Sequence, residues 1–152
     1  MVLHIFFNTL QLYFKTQNIF IFLYRDDLET YCEMLKNLAI QIIDFMANAL
    51  KVDTKEIREL FGEAAQSMRI NYYPPCPQPE LVTGFNSHSD GGGLTILLQG
   101  NEMDGLQIKK DGLWIPVKPL PNAFIVNLGD MLEVIINFFV LSQITKELNH
   151  IL

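Results

Sequence analysis

At Gln66 the apolar residues change period, and few folds accommodate both halves of the resulting pattern. Upstream, Leu28, Tyr31, Cys32, Leu35, Leu38, Ala39, Ile42, Phe45, Met46 and Leu50 recur at helical spacing. This predicts one long amphipathic helix opening on an Asp26/Glu29 capping box. Asp53 and Glu56 repeat the cap ahead of a short helix expected to bury Ile57, Leu60 and Phe61 and to stop at Gly62. From Gln66 to about residue 128 the period is two, as in strands. Asp111-Gly112 between Ile108-Lys109-Lys110 and Leu113-Trp114-Ile115 predicts a tight hairpin, with Trp114 as a core residue. Pro116, Pro119 and Pro121 keep the next connection out of any central strand. Phe124–Leu128 then reads as a buried strand ended by Gly129-Asp130. Helices followed by many short antiparallel strands imply an α+β fold whose β part is a double-sheet jelly roll.

Reactive side chains concentrate between Met68 and Gln99. Asn71 and Tyr73, two residues apart, are expected on one face of a strand, and His88 and Asp90 repeat that spacing. An imidazole nitrogen and a carboxylate oxygen on one face can be adjacent ligands of one divalent metal. The plain alternative is two solvated polar residues at a strand end. Context favours the metal: a Pro-rich turn precedes the pair, and Gly91-Gly92-Gly93 and the apolar segment Leu94–Leu98 follow it. The pair is thus expected where a strand leaves a sheet, a common place for ligands. Spacing alone leaves Tyr73 as a half-buried strand aromatic. Thr95 and Leu97 fall on one face of the next strand and Leu94, Ile96 and Leu98 on the other, so that one set faces the interior.

A chain of 152 residues makes one domain, small for an enzyme enclosing two small molecules. Its 17 acidic against 11 basic residues, net −6 with three arginines, argue against nucleic acid or an anionic membrane as partner. Cys32 and Cys76 lack metal or redox spacing and read as free thiols in a reducing, cytoplasmic setting, Cys76 being structural between prolines. Met1–Tyr24 is apolar but interrupted by Asn8, Gln11, Lys15, Gln17 and Asn18, so it has no membrane-length run, and it has neither a basic start nor a small-residue cleavage site. It shows no clean helical or strand period.

The order Asn71-Tyr72-Tyr73-Pro74-Pro75-Cys76-Pro77-Gln78-Pro79, His88-Ser89-Asp90, Leu94–Gln99, Gly105-Leu106-Gln107-Ile108, Trp114-Ile115-Pro116-Val117 and Asn127-Leu128-Gly129-Asp130 resembles the plant branch of the 2-oxoglutarate- and Fe(II)-dependent oxygenases, the branch of flavonol synthase, anthocyanidin synthase and the codeine-demethylase-like enzymes. The resemblance spans roughly Arg25 to Ile135. It implies an oxidoreductase that hydroxylates, desaturates or demethylates a small hydrophobic metabolite. Its cofactors would be Fe(II) and 2-oxoglutarate, with ascorbate as reductant. It further implies that His88 and Asp90 ligate the iron, while Asn71 and Tyr73 face the barrel mouth and the tyrosine hydroxyl donates to 2-oxoglutarate.

The departures are equally specific. Members carry a second metal-binding histidine in a His-Arg pair beyond the Gly-Asp, and a later Arg-x-Ser that clamps the keto acid. Here no arginine follows Arg69, and the late His150 is too far along, with no arginine after it. The division expected is a non-family apolar segment 1–24, a helical region 25–66, a partial oxygenase jelly roll 67–135 and a divergent tail 136–152. The jelly roll is then incomplete, with open edges, as in a sequence truncated at both ends, and turnover is expected to be weak or nil. A non-catalytic fragment that binds iron loosely and a jelly-roll ligand-binding module remain as alternatives.

Overall fold

The structure, a computed structural model, describes residues 2–7, 24–61 and 66–149, with 2–7 and 142–149 as backbone course only. Helix α1 (Arg25–Ala49) buries Cys32, Leu35, Ala39, Ile43 and Ala47 along one stripe. The stripe runs through Ile43 and Ala47 rather than Phe45, which is 70% exposed. The expected Asp26/Glu29 box does not form. Tyr24 occupies the N-cap and its side chain does not cap the helix, and Glu29 instead accepts from Arg25 Nε at 2.7 Å. At the far end Val52 N donates to Ala47 O and Lys51 N to Asn48 O, a Schellman closure with Lys51 at φ 55°.

Helix α2 (Thr54–Phe61) opens as the Asp53 cap predicts, with Lys55 N donating to Asp53 Oδ1 at 2.8 Å. It buries Ile57 and Phe61 but leaves Leu60 on the outer face, 52% exposed. The expected stop at Gly62 lies outside the described residues. Arg58 bridges back to α1, Nε donating to Asp44 Oδ1 at 2.7 Å and Nη2 pairing with Oδ2.

Strands β1 (Val2–Phe7), β2 (Gln66–Asn71), β3 (Leu94–Gln99) and β6 (Phe124–Leu128) form one antiparallel sheet in the order β2-β1-β3-β6. The apolar N-terminal segment therefore contributes an inner strand. Five of its six residues are apolar, so Val2–Phe7 shows neither period cleanly. Leu94 and Ile96 join Leu35, Ala39, Ile43, Ile57, Phe61, Leu132 and Phe139 in one core. Gln66, buried, ties the sheet to α1 by donating from Nε2 to Cys32 O at 3.0 Å. Among the described residues no helix is long and apolar enough to cross a membrane.

Burial on the sheet departs from expectation in two places. Leu94, Thr95, Ile96 and Leu97 are all buried, so both faces of β3 are covered there rather than one. β6, expected as a buried strand, exposes Phe124, Val126 and Leu128, because no described element covers the face they share. β4 (Gln107–Lys110) and β5 (Leu113–Pro116) form a separate two-stranded hairpin, turned by Asp111 (φ 51°) and Gly112 (φ 80°) as the Asp-Gly pair predicts. Trp114 is not core: it is 49% exposed, with Lys109 Nζ 5.7 Å from the ring centroid, because nothing covers the hairpin among the described residues. Helix α3 (Asp130–Asn149) follows β6 and runs unbroken through Ile135. Leu132 and Phe139 face the core, while Val134, Phe138 and Leu141 are exposed.

Two measurements check this account. Lys51→Gly should raise stability by about 1 kcal/mol in urea unfolding, since only glycine adopts a positive φ without strain. The Arg58 hydrogen bond holds the Asp44 carboxyl below its ordinary range. Its contribution is therefore complete above the unfolded-state value of about 3.9 and is lost as pH falls through the lowered folded-state value. Thermal melts of Asp44→Asn should fall modestly below wild type at neutral pH, the gap closing as pH drops below about 3.9.

Candidate metal-binding site

β2 ends at Asn71, and the Tyr72–Gln78 segment, rich in proline, leaves the sheet because proline cannot donate to a ladder. The same-face argument for Asn71 and Tyr73 therefore stops at Asn71. Tyr73 is located by a different contact: a Cβ built on Gly84 would lie 3.3 Å from Tyr73 Cε1, so the ring rests on that glycine. Gly84 in turn lines an open cleft of about 450 Å³ with Thr83, Phe85, Asn86 and His88. Asn71 Nδ2 is buried without a hydrogen-bond partner among the described residues.

His88 and Asp90 lie in the irregular segment that enters β3, not on a strand leaving the sheet. Their side chains nevertheless converge, with His88 Nε2 3.3 Å from Asp90 Oδ1. His88 Nδ1 is 2.7 Å from Asn86 O. A carbonyl can only accept, so Nδ1 carries a proton, and Nε2 is the nitrogen that faces the carboxylate. Two donors bound about 2.1 Å from one cation at near-octahedral angles stand about 3 Å apart. The pair thus fits a shared divalent ion. Phe85 packs edge-on against the imidazole at 4.6 Å between centroids, restricting its rotation. Among the described residues no group of three or more His, Cys, Asp or Glu converges on a metal position, so at most two such groups, His88 and Asp90, could hold one here. His150 lies outside the described residues.

Gly129 and Asp130, which the sequence marked as a strand end and as part of a family motif, hold this loop. Gly129 N donates to Gly93 O at 2.8 Å and Asp130 N to Asp90 O at 2.7 Å. Ser89 Oγ donates to Asp130 Oδ2 at 2.9 Å. A Cβ on Gly129 would come within 2.1 Å of Gly92 O and 2.7 Å of Asp90 O, so the two backbones touch only because that side chain is absent. In the glycine run, Gly93 accommodates the Phe61 ring, whereas a Cβ on Gly91 would meet nothing within 4 Å. Sequence reasoning could have found the clasp only by asking why Gly129 is glycine.

Residues 64–144 match the 2OG-Fe(II) oxygenase superfamily. The chain belongs to that superfamily. Among curated relatives of this chain, the oxoglutarate-dependent flavonoid 7-O-demethylase 1 of Ocimum basilicum is 59% identical over 114 residues, 75% of this chain and 31% of its own length. Thebaine 6-O-demethylase of Papaver somniferum is 55% identical over 116 residues, 74% of this chain and 32% of its own. The crystal structure of JOX2 in complex with 2OG, Fe and JA superposes with a TM-score of 0.67 at 43% identity, over 72% of this chain and 33% of that one. The chain thus spans about a third of the length of the curated relatives it matches. The likeness identifies the fold as helices with an incomplete oxygenase jelly-roll sheet, and the superfamily's cofactors are Fe(II) and 2-oxoglutarate.

The clasp predicts a contrast between two glycines. Gly129→Ala should destabilise by about 1–3 kcal/mol through a clash with backbone that cannot move aside. Gly91→Ala should stay within about 0.5 kcal/mol of wild type, as a surface change does. Denaturant unfolding of both variants checks this.

Proposed function

We propose that this chain carries the His88/Asp90 part of an Fe(II)- and 2-oxoglutarate-dependent oxidoreductase site. The reaction class would be hydroxylation, desaturation or demethylation of a small hydrophobic metabolite. The observation that carries the reading is the 3.3 Å approach of His88 Nε2 to Asp90 Oδ1, with the imidazole proton held on Nδ1 by Asn86 O. Family membership and the demethylase relatives support the chemistry. A flavonoid or an alkaloid is the kind of acceptor their names suggest.

Each residue has a task in this reading. His88 and Asp90 hold the metal, Asn86 fixes the tautomer and Phe85 the ring plane. The orphaned Asn71 Nδ2 supports a place for an acceptor-rich ligand, as a keto acid is, because a buried donor gains a bond when one arrives. The Tyr73 hydroxyl would donate to a carboxylate of 2-oxoglutarate. When bound, iron and the keto acid together supply oxygen activation coupled to decarboxylation to succinate, with ascorbate keeping the iron reduced. The exposed Cys76 and buried Cys32, both free, support a reducing cytoplasmic setting. With two metal ligands and no arginine after Arg69, the chain by itself would turn over weakly or not at all.

Fe(II) titration under anaerobic conditions and succinate formation with 2-oxoglutarate and ascorbate test the proposal together. His88→Ala and Asp90→Ala should each weaken Fe(II) binding by about 10- to 100-fold or more. Succinate formation should be slight and should disappear in His88→Ala. Binding without succinate would leave a non-catalytic metal site. Fe(II) binding unaffected by either substitution would reject the ligand assignment.

A further inference from the structure

The segment matching the superfamily, residues 64–144, contributes β2, β3 and β6 to the sheet, yet β2 and β3 do not pair with each other. Between them lies β1, from outside that segment, pairing residue for residue with both. Val2 stands opposite Asn71 and Gln99, and Phe7 opposite Gln66 and Leu94. Neighbouring strands lie about 4.8 Å apart, so β2 and β3 bound a slot about 9.5 Å across, one strand wide. Both walls present backbone donors and acceptors along six residues, and unpaired edges of that length recruit any strand able to match them. Val-Leu-His-Ile-Phe-Phe has no charge, proline or glycine and is rich in β-branched and aromatic residues, the composition that enters such a slot.

We propose that the space between β2 and β3 is a strand-acceptor site, selective for an apolar hexamer antiparallel to both walls, and that Val2–Phe7 is its resident, exchangeable occupant. The consequence reaches the metal loop. β2 leads to Asn71 and Tyr73, and β3 follows His88 and Asp90, so the occupant sets the spacing between the two parts of the site. The acceptor itself is independent of iron, and its test requires none.

Hydrogen exchange on the full chain is the first measurement. Amides of β2 and β3 that bond to β1 should exchange with those of β1 at one common rate, at least about ten-fold faster than the β3 amides bonded to β6. A single rate across the sheet would overturn the proposal. The second uses Ile5→Pro, which removes an inner-strand amide. Protection at β2 and β3 should fall, and a Val2–Phe7 peptide carrying solubilising lysines should bind saturably and restore it. A peptide of the same composition with proline at the position of Ile5 should do neither. Retained protection in Ile5→Pro, failure of the peptide to restore it, or equal binding of the proline peptide would each overturn the assignment.

Discussion

Where Gly129 passes the carbonyl of Gly92, backbone touches backbone, and the His88–Gly93 loop depends on that contact. The loop has no strand of its own to hold it, since His88 to Gly93 lies outside the regular ladder. Its hydrogen bonds go instead to the start of α3, through the amides of Gly129 and Asp130 and the Asp130 carboxylate. A buried backbone group must find a partner somewhere. Here the partners are also what fixes the direction of Asp90 and hence its approach to His88. One absent methyl group thereby connects the end of β6, the start of a helix and a pair of potential ligands.

The core reinforces this arrangement from below. Phe61 fills the space over Gly93, and Leu94 and Ile96 continue into the cluster formed with α1, α2 and α3. The loop thus runs directly into the most buried strand. By contrast, β6 and the β4–β5 hairpin leave apolar side chains in water. A sheet edge with one face uncovered is a place where pairing and packing are unsatisfied. The described chain is therefore tightly packed beneath β3 and open along the exposed segment that carries His88, along β6 and along the hairpin.

Membership of the oxygenase superfamily and the geometry of the loop are separate lines that agree. Fold membership alone does not locate a site. The proposal that the converging imidazole and carboxylate mark it rests on chemical grounds, with Nδ1 facing one carbonyl and one phenylalanine packed edge-on against the ring. The sheet, however, is not built from the matched segment alone. An inner strand from the beginning of the chain joins β2 to β3 and so becomes part of the frame.

Local patterns in the sequence determined whatever depends on neighbours along the chain. Helical spacing placed α1 and α2, the Asp53 cap opened the second of them, and Asp111-Gly112 turned the hairpin. The ordered motifs marked His88 and Asp90, because their spacing and flanking residues are local features. What only the tertiary structure decided rests on distant contacts. Ile43 rather than Phe45 is inside, Trp114 and Phe124 are outside, both faces of β3 are covered, and Val2–Phe7 is an inner strand. The physical reason is that periodicity tells which residues share a face but not what will cover it, and a continuous apolar run carries no period at all. Gly129 is the clearest case. Its lack of a side chain has meaning only beside Gly92, which the pairing of β6 with β3 brings against it.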